Sequence, residues 1–269
     1  MNIFYSPNAV LNQYCALDET ESRHIGTVLR KNVGDEIFVF DGKGSLYKAT
    51  IATIAKREVA VHITALHEQD SADAPKLHIA IAPPKNLDRF EWFAEKVTEI
   101  GIAEITPIIC KHSERKELKN ERIDKILLSA AKQSKKYTLP QLNEAVPIAK
   151  VLLQMNDAEK YIAYCDEKSV HLKDLYTKGK DALILIGPEG DFTPEEVALA
   201  EKQGFKTGIA RQHMHLPLLR FLSCGICPIG IRIQQHRHLI AARGLLLQLG
   251  TQLALPNFCP FEQLVKPLR

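Results

Sequence analysis

The stretch Ile184-Leu185-Ile186-Gly187-Pro188-Glu189-Gly190-Asp191-Phe192-Thr193-Pro194-Glu195-Glu196 decides how the rest of the chain is read. An apolar run of strand length, 182–186, stops at Gly187 and a Gly-Pro-Glu-Gly turn follows. Thr193 then has the side chain of a helix N-cap, Pro194 suits the first helical position, and Glu196 can complete a capping box. A buried strand that turns at once into a helix is the building unit of a parallel α/β sheet. Such sheets bind ligands at the carboxyl ends of their strands. Glycines there let a ligand approach the main chain, since no Cβ intervenes. An ordinary strand–turn–helix corner has the same spacing.

Upstream of this corner the same alternation continues. Residues 77–82 form an apolar strand, 88–101 an amphipathic helix with Phe90, Phe93, Ala94, Val97 and Ile100 on one stripe, and Gly101 supplies its stop. A strand over 104–110 and a helix over 120–135, burying Ile123, Ile126, Leu127 and Ala130, come next, then a strand over 161–165. The last helix spans 193–204. Before residue 68 the period is two. Residues 35–51 read as a hairpin around Asp41-Gly42-Lys43-Gly44, 57–66 as a half-buried strand, and 21–30 as a short helix. The polar stretch 68–75, ending in Pro75, is read as the boundary between a small β-barrel over 1–72 and an α/β domain over 73–269.

Composition narrows the class. Apolar residues make up 45% and charged residues 25% of 269, which excludes a mostly disordered chain. No apolar window of about 18 residues argues for a membrane span. Residues 1–10 lack an export pattern, so the six cysteines are read as reduced thiols and the protein as cytoplasmic. The net charge of +3 hides a break: residues 1–206 carry −3, and 207–269 carry +6. Of 23 lysines only Lys266 follows residue 206, while four of the ten histidines do. The Cys224-x-x-Cys227 pair with His213, His215, His236 and His238 has the spacing of half a zinc site, but no second pair completes it, so no metal is expected. Residues 239–255 form an apolar stretch, read as core-seeking or aggregation-prone rather than as an anchor.

The residues of the corner resemble the signature loop of the SPOUT RNA methyltransferases, the trefoil-knotted class, and within it the RsmE family. Other stretches agree in order and spacing. Arg23-His24-Ile25 with Val28-Leu29-Arg30 and Gly34-Asp35 is similar to the family's PUA-like barrel, and Phe40-Asp41-Gly42 to its hairpin. Lys85, Arg89 and Lys96-Val97-Thr98-Glu99-Ile100-Gly101 resemble its first helix. Ile105-Thr106-Pro107 with Ser113-Glu114-Arg115 resembles its next strand and loop. Ala130-Ala131-Lys132-Gln133-Ser134 resembles an Ala-x-Glu-Gln-Ser element in which Lys132 replaces the usual acid.

The resemblance implies a homodimer that methylates N3 of a uridine in 16S ribosomal RNA of the small subunit, with S-adenosylmethionine as cofactor. It assigns the cofactor to Gly187, Pro188, Glu189 and Gly190. Contacts to RNA phosphate fall to Arg23, Arg30, Lys85, Arg89, Arg115 and Arg122, and the nucleotide pocket to Glu99 and Gln133. Each basic residue can equally be a solvated surface charge, and Glu99 a helix-pairing residue. Because uracil N3 is a weak acid, the reaction needs deprotonation or polarisation as well as positioning. No residue is singled out as the base.

The likeness ends near residue 207. A Val-Ser-Leu-Gly-like strand end and a Leu-Arg-Thr-Glu-Thr-Ala segment, expected to wall the cofactor pocket and thread the knot, are absent; Leu219-Arg220 is a two-residue echo. Codons such as GGT-ATC-GCT-CGG-CAA for residues 208–212, read one base later, encode Val-Ser-Leu-Gly, so with that codon choice a shifted frame would account for the tail. Two other functions therefore stay open: an RNA-binding protein without catalysis, and an anion-binding protein using the helix after Thr193, against which Glu189 and Asp191 argue.

Overall fold

The computed structural model describes residues 2–71, 74–153, 157–164 and 170–209. In the first domain β3 (Glu36–Phe40) and β4 (Ser45–Ile54) pair antiparallel across the expected turn, and β5 (Val59–Gln69) pairs with β4. Asp41 holds the turn: its Oδ1 accepts from the N–H groups of Lys43 (2.7 Å) and Ser45 (3.0 Å). Two short strands, β1 (Ile3–Tyr5) and β2 (Tyr14–Ala16), complete the order β1-β3-β4-β5-β2. They are too short to show a period in sequence. Phe4 of β1 and Cys15 of β2 share one core with Ile37, Val39, Ile51 and Ile63, so the sheet curls and its two outer strands face a common interior.

Two boundaries differ from expectation. The helix expected over 21–30 starts earlier, as α1 (Glu19–Arg23), because Asp18 caps it by accepting from the Glu21 N–H at 2.8 Å. It passes into a wide π turn, His24–Val28, and Arg30 stands outside it in the left-handed region at φ 50°. β5 runs on to Gln69, into the stretch read as linker, because Glu68 pairs with Leu46 and accepts from the Tyr137 hydroxyl at 2.9 Å.

The second domain follows the strand–helix alternation. Its elements are β6 (Leu77–Ile81), α2 (Leu87–Ile100), β7 (Glu104–Ile109), α3 (Asn120–Ser134), β8 (Gln141–Leu142), β9 (Val146–Pro147), α4 (Ile148–Leu152), β10 (Glu159–Ala163), β11 (Val170–His171), α5 (Leu172–Leu175), β12 (Ala182–Ile186), α6 (Pro194–Lys202) and β13 (Lys206–Ile209). All described ladders are parallel, in the order β11-β13-β10-β12-β6-β7-β8, with β9 also beside β7. β8 stops opposite Ile105 and β9 resumes opposite Ile108. Pro107 lies in the gap, where it has no N–H to give a neighbour.

Alternate strand residues serve the two faces. Ile79, Ile81, Ile105, Ile184 and Ile186 pack with α2 and α3; Ala80, Ala82, Ile108, Leu183 and Leu185 pack with α4 and α6. On α2 the stripe Phe90, Phe93, Ala94 and Val97 is buried as expected, but Ile100 is only half-buried. Thr98 is buried instead, and its hydroxyl donates to the Ala94 carbonyl at 2.7 Å. Gly101 takes the left-handed cap at φ 91°. On α3, Ala131 joins the expected Ile123, Leu127 and Ala130, while Ile126 lies at the margin.

β6 is the first strand of this sheet. β7 follows on one side with α2 and α3 on one face. β12 lies on the other side and leads into α6 on the opposite face. The pair β6–β12 is thus the point where the winding reverses, the place at which open α/β sheets take ligands beyond their carboxyl ends.

The segment expected to thread a knot, the Cys224/Cys227 pair with its histidines, and the apolar stretch 239–255 lie outside the described residues. Among the described residues no helix is long and apolar enough to cross a membrane, and no group of His, Cys, Asp or Glu is placed to hold a metal ion.

Candidate active site

Three loops leave the carboxyl ends of the adjacent strands β12, β6 and β7: residues 187–193, 82–86 and 110–119. Glu189 joins the first two, its Oε1 accepting from the Lys85 N–H at 3.0 Å. Arg115 joins the third, its guanidinium donating to the Lys85 carbonyl at 2.9 Å. The capping box of α6 is complete: Thr193 Oγ1 accepts from the Glu196 N–H, and Glu196 Oε2 from the Thr193 N–H. The second oxygen of Glu196 accepts from the Lys111 N–H at 2.8 Å, so the cap also ties α6 to the β7 loop. Glu195, fully exposed, is held below the usual carboxylate range, first by the Thr193 hydroxyl and its own N–H, then by Lys111. The first turn of α6 is therefore occupied by its own carboxylates, which disfavours the anion-binding reading.

The corner itself is a tight turn. Asp191 donates its N–H to the Pro188 carbonyl at 2.9 Å and adopts φ 60°, in the left-handed region. Gly187 and Gly190 have ordinary backbone angles, and what they supply is room. A Cβ at Gly187 would stand 3.1 Å from the Phe192 ring, and one at Gly190 would stand 3.2 Å from the Cβ of His112. On that side of the corner the protein's own side chains fill the space that the sequence leaves for a ligand. The N–H groups of Glu189 and Gly190 meet no partner among the described residues. Two donors unused among the described residues, beside a switch point, suit the carboxylate or the ring-nitrogen edge of a nucleotide-like cofactor.

Cys110 follows β7 beside this site, but burial pushes its thiol up to about 12, so it stays protonated and is no nucleophile. The neighbouring Ser113 hydroxyl accepts from the Cys110 N–H at 2.9 Å and closes the turn.

Four of the six predicted phosphate contacts gather at this edge. Lys85 and Arg115 lie on its loops, and Arg89 and Arg122 sit on the first turns of α2 and α3. Lys85 pairs with Glu114 at 3.0 Å, and Arg122 forks onto Glu91 at 2.6 and 2.9 Å. Among the described residues, the Arg115 Nε is buried without a partner, and Arg89 is exposed with no acidic partner. Arg23 and Arg30 are exposed on the first domain instead.

Glu99 and Gln133 sit elsewhere. Both occupy the last turns of helices that run back from this edge, so Glu99 lies about 17 Å along α2 from its first turn. Glu99 accepts from Lys96 at 2.8 Å, and Gln133 is exposed. The structure does not bring them to the corner. What the sequence reading passed over is His112, whose ring nitrogen Nδ1 lies 3.0 Å from the Gly190 carbonyl and 3.2 Å from that of Asp191. The available signal was a histidine two residues beyond the end of a buried strand.

Residues 72–208 match the family described as RNA methyltransferase domain, and residues 17–64 match the RNA methyltransferase PUA domain. Ribosomal RNA small subunit methyltransferase E of Bacillus subtilis is 29% identical over 204 residues, covering 70% of this chain and 79% of that one. A crystal structure of a probable rRNA-methyltransferase from Porphyromonas gingivalis superposes with a TM-score of 0.75 at 36% identity, over 83% of this chain and 95% of that one. A putative methyltransferase from Legionella pneumophila, solved with bound cofactor SAM, superposes with a TM-score of 0.71 at 24% identity, over 84% of this chain and 96% of that one, and shares the fold. The two family matches lie in the order found here, the PUA domain before the methyltransferase domain, and this chain belongs to the RsmE family of RNA methyltransferases.

Proposed function

We propose that the protein transfers the methyl group of S-adenosylmethionine to N3 of a uridine in 16S ribosomal RNA of the small subunit. The observation that carries this reading is the junction of three loops at the β6–β12 switch point, with the Gly187–Gly190 corner at its centre. When bound, the cofactor supplies an activated methyl group on its sulfonium. The main chain of Gly187, Pro188, Glu189 and Gly190 holds it, with the open N–H groups of Glu189 and Gly190 as donors. Lys85, Arg89, Arg115 and Arg122 attract and orient RNA phosphate along the same edge, while Arg23 and Arg30 extend the contact onto the first domain. Lys85 and Arg122 are paired with Glu114 and Glu91, which would share them with an arriving phosphate. In this reading the protein acts in the cytoplasm as a homodimer.

One observation favours a second reading. The match to the family ends at residue 208, where the charge pattern breaks, and the segment expected to wall the cofactor pocket is not found after it. A chain made with this tail would bind RNA without methylating it. Incubation with small ribosomal subunits and methyl-labelled S-adenosylmethionine separates the two. Label recovered as N3-methyluridine in 16S RNA supports the enzyme. Retained RNA binding with no label, and no heat on titrating millimolar cofactor, supports the inactive reading. Intact mass of the same sample shows which tail is made.

A further inference from the structure

His112 stands in a loop that the cofactor assignment does not use, yet it touches the corner twice. Its Nδ1 faces two carbonyl oxygens, those of Gly190 and Asp191. A carbonyl oxygen only accepts, so the hydrogen must be on Nδ1. The neutral ring then carries its lone pair on Nε2, which meets no partner among the described residues. Its Cβ would stand 3.2 Å from a Cβ at position 190, closer than ordinary van der Waals contact, and position 190 has no backbone need for glycine. The next residue, Asp191, is held in a left-handed conformation that a non-glycine residue keeps only when its surroundings over-determine it. The forked bond from His112 is one such restraint; the Asp191 N–H to the Pro188 carbonyl and the Phe192 N–H to the Asp191 carboxylate are others.

We propose that His112 is a positioning residue: fixed as the Nδ1–H tautomer by the carbonyls of Gly190 and Asp191, it clamps the 187–191 turn from the neighbouring loop and is the reason position 190 favours glycine. The consequence for ligand affinity rests on the corner being the cofactor site; the clamp itself does not. Glycine at 190 thus makes room for a histidine of the same chain, whereas the sequence alone reads that room as space for a ligand.

Three measurements on the full chain test this. Long-range nitrogen–proton NMR at about pH 8 should show His112 protonated at Nδ1 and bare at Nε2; the opposite tautomer overturns the clamp. Thermal unfolding should show Gly190→Ala lowering Tm in the native background but causing no further loss in a His112→Gly background. An equal loss in both backgrounds would mean that something other than His112 excludes the methyl group. His112→Asn keeps a donor near the Nδ1 position, whereas His112→Leu fills space without one. S-adenosylhomocysteine should therefore bind the Asn variant nearly as well as the native chain and the Leu variant about tenfold more weakly. Equal weakening in both variants overturns the positioning role. If the native chain binds no S-adenosylhomocysteine, the cofactor reading fails, and the NMR and unfolding results still decide the clamp.

Discussion

The two ends of the parallel sheet are built differently. At the carboxyl end, hydrogen bonds between main chain and side chains join the three loops: Glu189 to Lys85, Arg115 to Lys85, Glu196 to Lys111, and His112 to Gly190 and Asp191. At the amino end, the last turn of α3 and residues 137–139 are sealed against the first domain. Phe40 and Leu46 pack on Tyr137, the Gly44 N–H donates to the Tyr137 carbonyl, and the Leu139 N–H donates to that of Gly42. Lys132 reaches across to Glu21, which is only 3% exposed, and also lies over the Phe4 ring. Donors without a partner among the described residues suit an end that can take a ligand. Apolar packing with saturated main chain suits an end that only has to hold two domains in register. Substitutions should therefore cost stability at the amino end and affinity at the carboxyl end.

The largest effect is expected from Phe40→Ala. The ring is fully buried in the seam, so its loss should lower unfolding free energy by about 3–5 kcal/mol. A urea titration reads this, and a loss under about 1 kcal/mol would show that the seam is not packed as described. Lys132→Met comes next. It leaves the Glu21 carboxylate buried without its partner, at a cost of about 3 kcal/mol, and adding Glu21→Gln to the same chain should recover most of that loss. If the double variant is no better than Lys132→Met alone, the pair is not what holds the seam.

The amino end also carries the clearest acid dependence. Burial raises the Glu159 carboxyl, but bonds from the Thr177 hydroxyl and N–H and from the Tyr161 hydroxyl outweigh it and bring the group down from 4.5 to about 2. A depressed carboxyl stabilises the fold above its unfolded value and loses that contribution as pH falls through the folded one. Stability should therefore drop between about pH 4.5 and 2, and Glu159→Gln should flatten the profile in that window. An unchanged slope would show that Glu159 does not carry it.

The same contrast explains what could be read without coordinates. β12, β6, α2 and the cap of α6 are local: an apolar run, a stripe, a threonine three residues before a glutamate. Each was legible, down to Gly101. The joins between loops were not, because Glu189 meets Lys85 across 104 residues and Glu196 meets Lys111 across 85. Lys132 was visible as a departure from the family's usual acid, but its reason, Glu21, lies 111 residues upstream. Glu99 and Gln133 came from resemblance of short motifs, which does not say at which end of a helix a residue meets the sheet. Strand order settles that, and two-residue strands such as β8, β9 and β11 leave no period to read.

The smallest effect on stability, and the sharpest test of the carboxyl end, is expected from Arg89→Ala. Arg89 is exposed on the first turn of α2 with no acidic partner among the described residues, so its loss should change unfolding by less than about 0.5 kcal/mol. If it contacts phosphate, RNA affinity should fall several-fold at low salt, and the slope of log affinity against log salt should decrease by about 1. Arg122 makes the informative control. Its guanidinium is already forked onto Glu91, which must release it or share it when RNA arrives. Arg122→Ala should therefore cost less affinity than Arg89→Ala, and Glu91→Gln should strengthen binding through Arg122. Should the two arginines prove equal and Glu91→Gln be silent, the rim would be acting through its summed charge, and the assignment of individual phosphate contacts at this edge would fall.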